Sequence, residues 1–223
     1  MGYPVFLCFS ATPSGDEMAL WLALPPEAHR SLQRSEGTVV KMTAMLLSLT
    51  LALLGAFQAR AEVPVQPDFD AAKFSGMWHV MAAVSNCPIF QKMKDLMKTS
   101  AAIVTVTPED NLHFKIGYPL PDGCKKVELV FEKTGQLGHY TNSQMGKQDM
   151  RVVATDYTSY AILHIFKDDD GKSSTTLQLY SRIQEVNPEA MKTFKELYPP
   201  MGLTDDMLVV LPKSDECVKA LSG

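Results

Sequence analysis

The sequence has few cysteines and no apolar segment long enough to cross a membrane. It holds 4 cysteines in 223 residues, which excludes the dense disulfide framework of many small secreted domains. The apolar run at residues 46–57 is shorter than the roughly 20 residues that a membrane-spanning helix needs. Basic side chains are also not in excess, with 21 Lys and Arg against 25 Asp and Glu. This balance gives no reason to expect nucleic acid or an anionic membrane as a partner.

Recognisable metal and nucleotide motifs are missing as well. The histidines at positions 29, 79, 113, 139 and 164 show no ligand spacing, so we predict no metal site. The acidic run at residues 168–171 lacks the alternate carboxylates and distant Glu of a calcium loop, and we interpret it as a solvated hairpin turn. Gly171-Lys172-Ser173 lacks the earlier glycine of a phosphate-binding loop, because Phe166 stands there. The sequence therefore predicts no cofactor.

The segment at residues 42–61 has the form of a secretory signal peptide. It begins at Met42 behind Lys41, continues with the apolar run, and ends in Ala59-Arg60-Ala61, a small-residue cleavage motif. We expect residues 1–41 to be an upstream extension that is absent from the mature protein. Residues 62–223 form one predicted domain, which we expect to be secreted and extracellular. Its three cysteines allow one disulfide and leave one odd thiol.

The predicted domain consists mostly of short strands separated by turn residues. Eight closely spaced strands indicate an antiparallel meander, and closing a meander into a barrel removes its exposed edges. Asp68-to-Phe74 reads as a short turn before the first strand, and 207–211 as a last short strand. The eight strands are predicted at 77–85, 99–107, 112–118, 125–133, 137–142, 148–155, 159–167 and 174–182.

One amphipathic helix is predicted after the eighth strand. Asn187 is a favourable N-cap residue and Pro188 suits the first helical position. The segment 188–198 then places apolar side chains, including Phe194, on one face. The fold class that follows is all-β, an eight-stranded antiparallel up-and-down barrel with a C-terminal helix packed outside. Such a barrel either fills its interior with side chains or holds one small ligand.

Three short motifs in order identify the chain as similar to the lipocalin family. They are Gly76-Met77-Trp78, Thr155-Asp156-Tyr157, and Leu179-Tyr180-Ser181-Arg182. In the family these motifs meet at the closed end of the barrel. The resemblance implies a structural role, with Arg182 over the Trp78 ring in a cation–π contact and Asp156 accepting backbone N–H groups in a turn. The residues implied to be structural are Gly76, Trp78, Thr155, Asp156, Tyr157 and Arg182.

The same resemblance implies a disulfide and a function. The disulfide joins Cys124 to Cys217 and leaves Cys87 free or paired between chains. The function is carriage of a small hydrophobic ligand, of the fatty acid, lysolipid or retinoid class, inside the barrel of a monomer. A cell-surface receptor is a further candidate partner. Strand alternation and the family alignment predict these lining residues: Val80, Ala102, Val104, Phe114, Ile116, Tyr118, Val127, Leu129, Phe131, Met150, Val152, Ala161, Leu163 and Tyr180.

Two other functions remain as alternatives. The chain resembles most the branch of the family that contains prostaglandin D synthase, an isomerase that uses a thiol on its second strand. Ser100 occupies the aligned position here, and a serine hydroxyl lacks the route to an anion that a thiol has. We therefore predict no catalytic residue. Capture of a siderophore is the second alternative, which needs basic side chains inside the mouth. Lys125, Lys126 and Arg151 are the candidates, although alternation directs most of them outward.

Overall fold

The computed structural model describes residues 63–144, 146–169 and 171–222. The predicted upstream extension and signal peptide, residues 1–41 and 42–61, lie outside the described residues. Among those described, no helix has both the length and the apolar character needed to span a membrane.

In the described residues, nine strands form a single antiparallel sheet. Their order is β2-β3-β4-β5-β6-β7-β8-β1-β9, and β1 also pairs with β2. This last pairing runs from Gly76↔Val104 to Val80↔Ser100 and closes the first eight strands into the predicted up-and-down barrel. The strands are β1 Gly76–Ser85, β2 Ser100–Val106, β3 Leu112–Leu120, β4 Gly123–Lys133, β5 His139–Asn142, β6 Lys147–Thr155, β7 Tyr160–Asp169, β8 Lys172–Ser181 and β9 Leu208–Val210.

Four α-helices accompany the barrel in the described part of the chain. The segment expected to be a turn before β1 contains the short helix α1, and its N-cap Asp70 accepts a hydrogen bond from the Lys73 backbone N–H at 3.1 Å. The helix α2 in the loop after β1 was not predicted. It starts at Pro88 without a side-chain cap, so the usual N-terminal signal is missing. The helices are α1 Ala71–Phe74, α2 Pro88–Met93, α3 Pro188–Leu197 and α4 Val218–Ser222.

The predicted amphipathic helix is α3. The Asn187 carboxamide oxygen accepts from the backbone N–H groups of Glu189 (2.9 Å) and Ala190 (3.3 Å), which satisfies two of the unpaired donors at the helix start. Phe194 is fully buried and belongs to a cluster that includes Leu177 and Leu179 of β8. The helix thus covers the outer face of the barrel at its last strands.

Strand β5 was expected over 137–142 and starts two residues later, at His139. Gly138 has φ of +71°, and the His139 N–H donates to the Gln136 carbonyl at 3.2 Å. The preceding residues therefore form a turn that a left-handed glycine permits.

Two irregularities change which side chains face inward. In β1 the register shifts between Val80 and Ala82, so Ala83 and Ser85 continue the inner face while Ala82 lies under α3. A similar shift occurs in β6 between Val152 and Ala154. Simple alternation along β1 does not anticipate the change, since a bulge adds one residue to one strand.

The predicted disulfide is confirmed. Cys124 and Cys217 are joined with their Cα atoms 5.2 Å apart. A Cβ at Gly117 would lie 3.0 Å from the Cys124 sulfur and 3.0 Å from the Cys217 Cβ, so the bridge needs a glycine at this point of β3. The expectation that Cys87 stays an odd thiol is wrong. Cys87 is disulfide-bonded.

Candidate ligand-binding site

The closed end of the barrel joins segments that are far apart in the sequence. The guanidinium carbon of Arg182 lies 3.6 Å from the centroid of the Trp78 ring, within range of a cation–π interaction. Its N–H groups donate to the backbone carbonyls of Met77 (2.9 Å), Tyr157 (3.0 Å) and Lys73 (3.0 Å). One side chain therefore holds together α1, β1 and the turn between β6 and β7.

The glycine of the first motif is required by this arrangement. Gly76 has φ of +104°, a conformation that residues with a Cβ rarely adopt. A Cβ at this position would also lie 3.1 Å from the Arg182 Nη1 atom. Both the backbone and the close approach of the guanidinium select glycine.

The second motif forms the turn between β6 and β7. One Asp156 carboxylate oxygen accepts from the backbone N–H groups of Thr158 (3.1 Å), Ser159 (2.8 Å) and Tyr160 (2.9 Å). Burial favours a raised pKa for Asp156, but hydrogen bonds from the Ser159 hydroxyl and the turn amides outweigh it and lower the pKa. This carboxylate is used to order a turn.

Above this floor the interior is aromatic. The Trp78 indole N–H donates to the Phe74 carbonyl at 2.8 Å, and the two rings lie 5.4 Å apart between centroids. The Phe74 ring lies 6.4 Å from that of Phe114, which in turn lies 5.6 Å from that of Phe131. The bottom of the barrel is therefore rigid and apolar.

The predicted lining residues meet inside the barrel, with two distinctions. All except Tyr118 and Val127 belong to one buried cluster, the interior cluster, together with Phe69, Phe74, Trp78, Leu112, Tyr140, Ile165 and Leu211. Val127 is half-buried and packs against the cluster. Tyr118 is buried, with 4% of its surface exposed, and it pairs with Lys125 at the other end of the barrel.

A polar column, of which the sequence reasoning identified only Tyr180, lies on the inner face of β8. It consists of Tyr180, Gln178, Thr176 and Ser174, which are all buried. The Tyr180 hydroxyl donates to the Gln178 carboxamide oxygen at 2.7 Å, and burial raises the pKa of Tyr180 well above its usual range. The Thr176 hydroxyl lies 2.7 Å from that of Ser85. Alternation along β8 could have found the other three residues, but a search for aliphatic and aromatic side chains passes over them.

The mouth is the end opposite Trp78, where β7 and β8 are joined by their hairpin. Here Lys167 of β7 pairs with Ser174 of the polar column, and its side chain is 5% exposed, with its Nζ atom 3.8 Å from an Asp169 carboxylate oxygen. On the far wall Lys125 pairs with the buried Tyr118, which gives Lys125 an inner-face position in the register. Cationic side chains thus stand at the rim, above an apolar interior.

The loop after β1 packs over part of this mouth. Phe90 of α2 is buried against Ala83, which faces inward after the β1 bulge, and Met97 packs against both this contact and the interior cluster. The two side chains add apolar surface near the top of the barrel.

The position aligned with the synthase thiol also faces the interior. Ser100 pairs with Val80 and lies on the same face of β2 as Ala102, in the interior cluster. Cys87 instead occupies the N-cap position of α2 and is disulfide-bonded. Neither residue presents a thiol to the lining residues.

A separate titratable group lies on the outer face of β5 to β7. The His139 Nε2 atom lies 2.5 Å from an Asp149 carboxylate oxygen, and Arg151 also pairs with Asp149. Burial, followed by the nearby Arg151 charge, lowers the pKa of His164 to about 4, while Asp149 opposes the shift. Within residues 63–144, 146–169 and 171–222, no group of three or more His, Cys, Asp or Glu side chains is arranged to hold a metal ion.

Comparisons with known proteins agree with this architecture. The family model described as the lipocalin / cytosolic fatty-acid binding protein family matches residues 75–215. Human Lipocalin-15 is 45% identical over 176 residues, which cover 79% of this chain and 96% of that protein. The extracellular fatty acid-binding protein of Coturnix japonica is 37% identical, covering 79% and 97%. The prostaglandin-H2 D-isomerase of Equus caballus is 29% identical, covering 76% and 92%.

A solved structure supports the same assignment. The siderocalin Ex-FABP, described as functioning through dual ligand specificities, superposes with a TM-score of 0.58 and 33% identity, covering 64% of this chain and 91% of that one. Motifs, closed barrel and relatives therefore converge on one conclusion: the chain belongs to the lipocalin family, whose members bind small hydrophobic ligands.

Proposed function

We propose that this lipocalin carries an amphipathic molecule with a long apolar chain, of the fatty acid, lysolipid or retinoid class. The apolar end lies against the aromatic floor and the polar end is directed towards the mouth. The observation that carries this proposal is the gradient of polarity inside the barrel. It runs from Trp78 and Phe74 at one end to Ser174 and Lys167 at the other.

The apolar half of the interior supplies the binding energy. Each methylene that leaves water contributes about 0.8 kcal/mol, and a long alkyl chain exceeds the cost of ordering it. Side chains such as Leu129, Met150 and Leu163 are apolar and line this half. They fit an alkyl or isoprenoid chain without a specific polar requirement.

The charged side chains at the rim favour a ligand with an anionic or polar head group. A carboxylate buried without a partner is costly, whereas a head group at the mouth meets solvent and the rim cations. Lys125 and Lys167, the second of which lies 3.8 Å from an Asp169 carboxylate oxygen, are cationic side chains with inner-face positions at this end of the barrel. This orientation explains why the polar end is assigned to the mouth.

Secretion is part of the proposal. The Cys124–Cys217 disulfide suits an oxidising compartment, residues 42–61 have the form of a signal peptide, and relatives named extracellular fatty acid-binding proteins match most of the chain. An extracellular carrier gives these three observations one explanation.

Isomerisation of the prostaglandin D synthase type is less well supported. That reaction depends on a thiolate nucleophile, and Ser100 stands at the corresponding place. Cys124 and Cys217 are joined to each other, and Cys87 lies at the N-cap of α2 and not on an inward strand position, so neither site matches the thiolate on the second strand. Carriage of a ligand requires no thiolate nucleophile.

Siderophore capture is a second candidate, favoured by the rim cations Lys125 and Lys167 and by the likeness to a siderocalin. Titration with an iron(III)–catechol complex tests it. Quenching of tryptophan fluorescence that is lost in the Lys125→Ala variant supports capture, and the absence of quenching dismisses it.

Displacement of a fluorescent fatty acid tests carriage, with one substitution inside the barrel and one outside on the same strand. Leu129 belongs to the interior cluster, whereas Val130 pairs with the exposed-face residue His113. We expect Leu129→Arg to weaken binding of octadecanoic acid at least tenfold, because it places a charge in the apolar interior. Val130→Arg should bind as the unsubstituted protein does.

If Leu129→Arg prevents folding, a milder substitution tests the same position. Leu129→Ser removes apolar contact without adding a charge, and circular dichroism checks that the barrel remains. If octadecanoic acid fails to displace the probe from the unsubstituted protein, the proposal is wrong. Equal affinities in both strand variants remove Leu129 from the site.

A further inference from the structure

The side-chain amide of Gln178 is a buried polar group on the inner face of the barrel without a hydrogen-bond partner for its nitrogen. The carboxamide nitrogen of Gln178 is inaccessible to solvent and has no acceptor within reach, and the residue is 0% exposed. A buried donor left unsatisfied costs about 1–3 kcal/mol. In the interior of a ligand-binding barrel, such a donor is available to an acceptor atom of a bound ligand.

The orientation of the carboxamide follows from its neighbour. The Tyr180 hydroxyl donates to the Gln178 oxygen at 2.7 Å, which leaves the two N–H donors of the amide for another acceptor. Gln178 lies on the inner face of β8, since Leu177 and Leu179 on either side face α3. The two N–H donors of the Gln178 carboxamide therefore lie in the barrel interior.

The surroundings of Gln178 select a neutral acceptor. Its cross-strand partners are Ala83 on β1 and Leu163 on β7, both apolar. A carboxylate or phosphate here would be buried beside aliphatic side chains, at a high desolvation cost. A hydroxyl, ketone or epoxide oxygen meets the amide without that cost.

The depth of Gln178 places this oxygen part-way along the ligand. Ser174, which pairs with Lys167 at the mouth, lies four residues before Gln178 on β8, or about 13 Å along the strand. Below Gln178 the interior continues past Tyr180 and Val80 to Trp78. A chain with its head group at the mouth and its end at the floor passes Gln178 near its middle.

We propose that Gln178 is a specificity-determining residue that donates a hydrogen bond to an oxygen in the middle of the bound chain, so that the barrel prefers oxygenated fatty acids over plain ones. The inference rests on the proposed function, and it adds the chemical class of the ligand. The Tyr180 hydroxyl acts as a positioning group, because it fixes the carboxamide with its donors towards the ligand.

Competition binding with matched acids tests this assignment. The probes are octadecanoic acid, 12-hydroxyoctadecanoic acid and 2-hydroxyoctadecanoic acid, each displacing the same fluorescent fatty acid from the protein as secreted. We expect the 12-hydroxy acid to bind about tenfold more tightly than the plain acid, which corresponds to one well-formed hydrogen bond. The 2-hydroxy acid carries its hydroxyl next to the head group, so it controls for added polarity and should show no such gain.

Substitution of Gln178 should remove the preference for the 12-hydroxy acid over the plain acid. Gln178→Met keeps the length of the side chain and lacks the amide, and the double variant with Tyr180→Phe avoids leaving the tyrosine hydroxyl unsatisfied. In both variants we expect the 12-hydroxy acid to lose its advantage over the plain acid, with the ratio of the two affinities as the readout rather than the affinity of either acid alone.

The outcomes separate this inference from the proposed function. Equal binding of the plain and 12-hydroxy acids to the unsubstituted protein overturns the role of Gln178 while carriage stands. A preference that survives in the folded double variant also overturns it. Failure of all three acids to bind rejects the proposed function itself, and the inference with it.

Discussion

Replacement of Arg182 by lysine should destabilise the barrel although the positive charge is kept. The guanidinium makes three hydrogen bonds, to the carbonyls of Met77, Tyr157 and Lys73, while its plane lies over Trp78. A lysine ammonium is a compact point charge and cannot reproduce this fork together with the ring contact. We expect lysine to keep one carbonyl bond and part of the cation–π interaction.

The magnitude follows from the contacts that are lost. Hydrogen bonds to a charged group contribute about 1.5–3 kcal/mol each when buried, and the partial exposure of Arg182 reduces these values through solvent screening. Loss of two such bonds should therefore cost about 2 kcal/mol for Arg182→Lys. Arg182→Met, which also removes the charge over the ring, should cost about 3 kcal/mol.

Urea unfolding followed by circular dichroism measures both variants, with thermal unfolding as a second readout. A loss of 2 kcal/mol corresponds to a decrease of about 4–8 °C in the unfolding temperature for a domain of this size. Lys195→Ala on the outer helix α3 is a suitable surface control, since it should change stability by less than about 0.5 kcal/mol. If Arg182→Lys is as stable as this control, the guanidinium does not hold the floor together and the reasoning is refuted.

Two further predictions concern stability. The Cys124→Ser, Cys217→Ser double variant should lose about 4–5 kcal/mol of unfolding free energy in the chain-entropy treatment, because the bridge spans a sequence separation of 93; an unchanged urea midpoint would contradict it. His164 has a folded pKa of about 4, below its usual 6.5. Its contribution to the free energy of unfolding is therefore complete above pH 6.5 and is lost as the pH falls towards 4. The loss should reach about 3 kcal/mol. The urea midpoint of the His164→Gln variant should therefore decline less between pH 7 and pH 4.5 than that of the unsubstituted protein. Equal declines in the two proteins would show that His164 is not the cause.

Much of the fold could be predicted because its strongest signals are local or carried by fixed motifs. Turn residues separate the strands, Asn187 and Pro188 mark the start of α3, and the three motifs meet at the floor because each supplies a group that the others need. Gly76 illustrates this, since its missing side chain makes room for Arg182. The motifs themselves are visible in a single sequence, and the family resemblance implied that they meet.

The remaining features depend on tertiary context. The β1 bulge turns Ala83 and Ser85 inward, and no local residue preference announces it. Helix α2 begins without a capping side chain, so it is held by packing of Phe90 instead. The importance of Gln178 appears only when the hydrogen bonds of its amide are followed atom by atom.

Native mass spectrometry of the protein secreted into culture medium tests the central claim most directly. The account predicts that the folded protein, incubated with octadecanoic acid, takes up one molecule per barrel, and that Leu129→Arg or Leu129→Ser reduces this uptake while Val130→Arg does not. A folded protein that takes up no fatty acid, or that takes it up equally in all three variants, would contradict carriage inside the barrel.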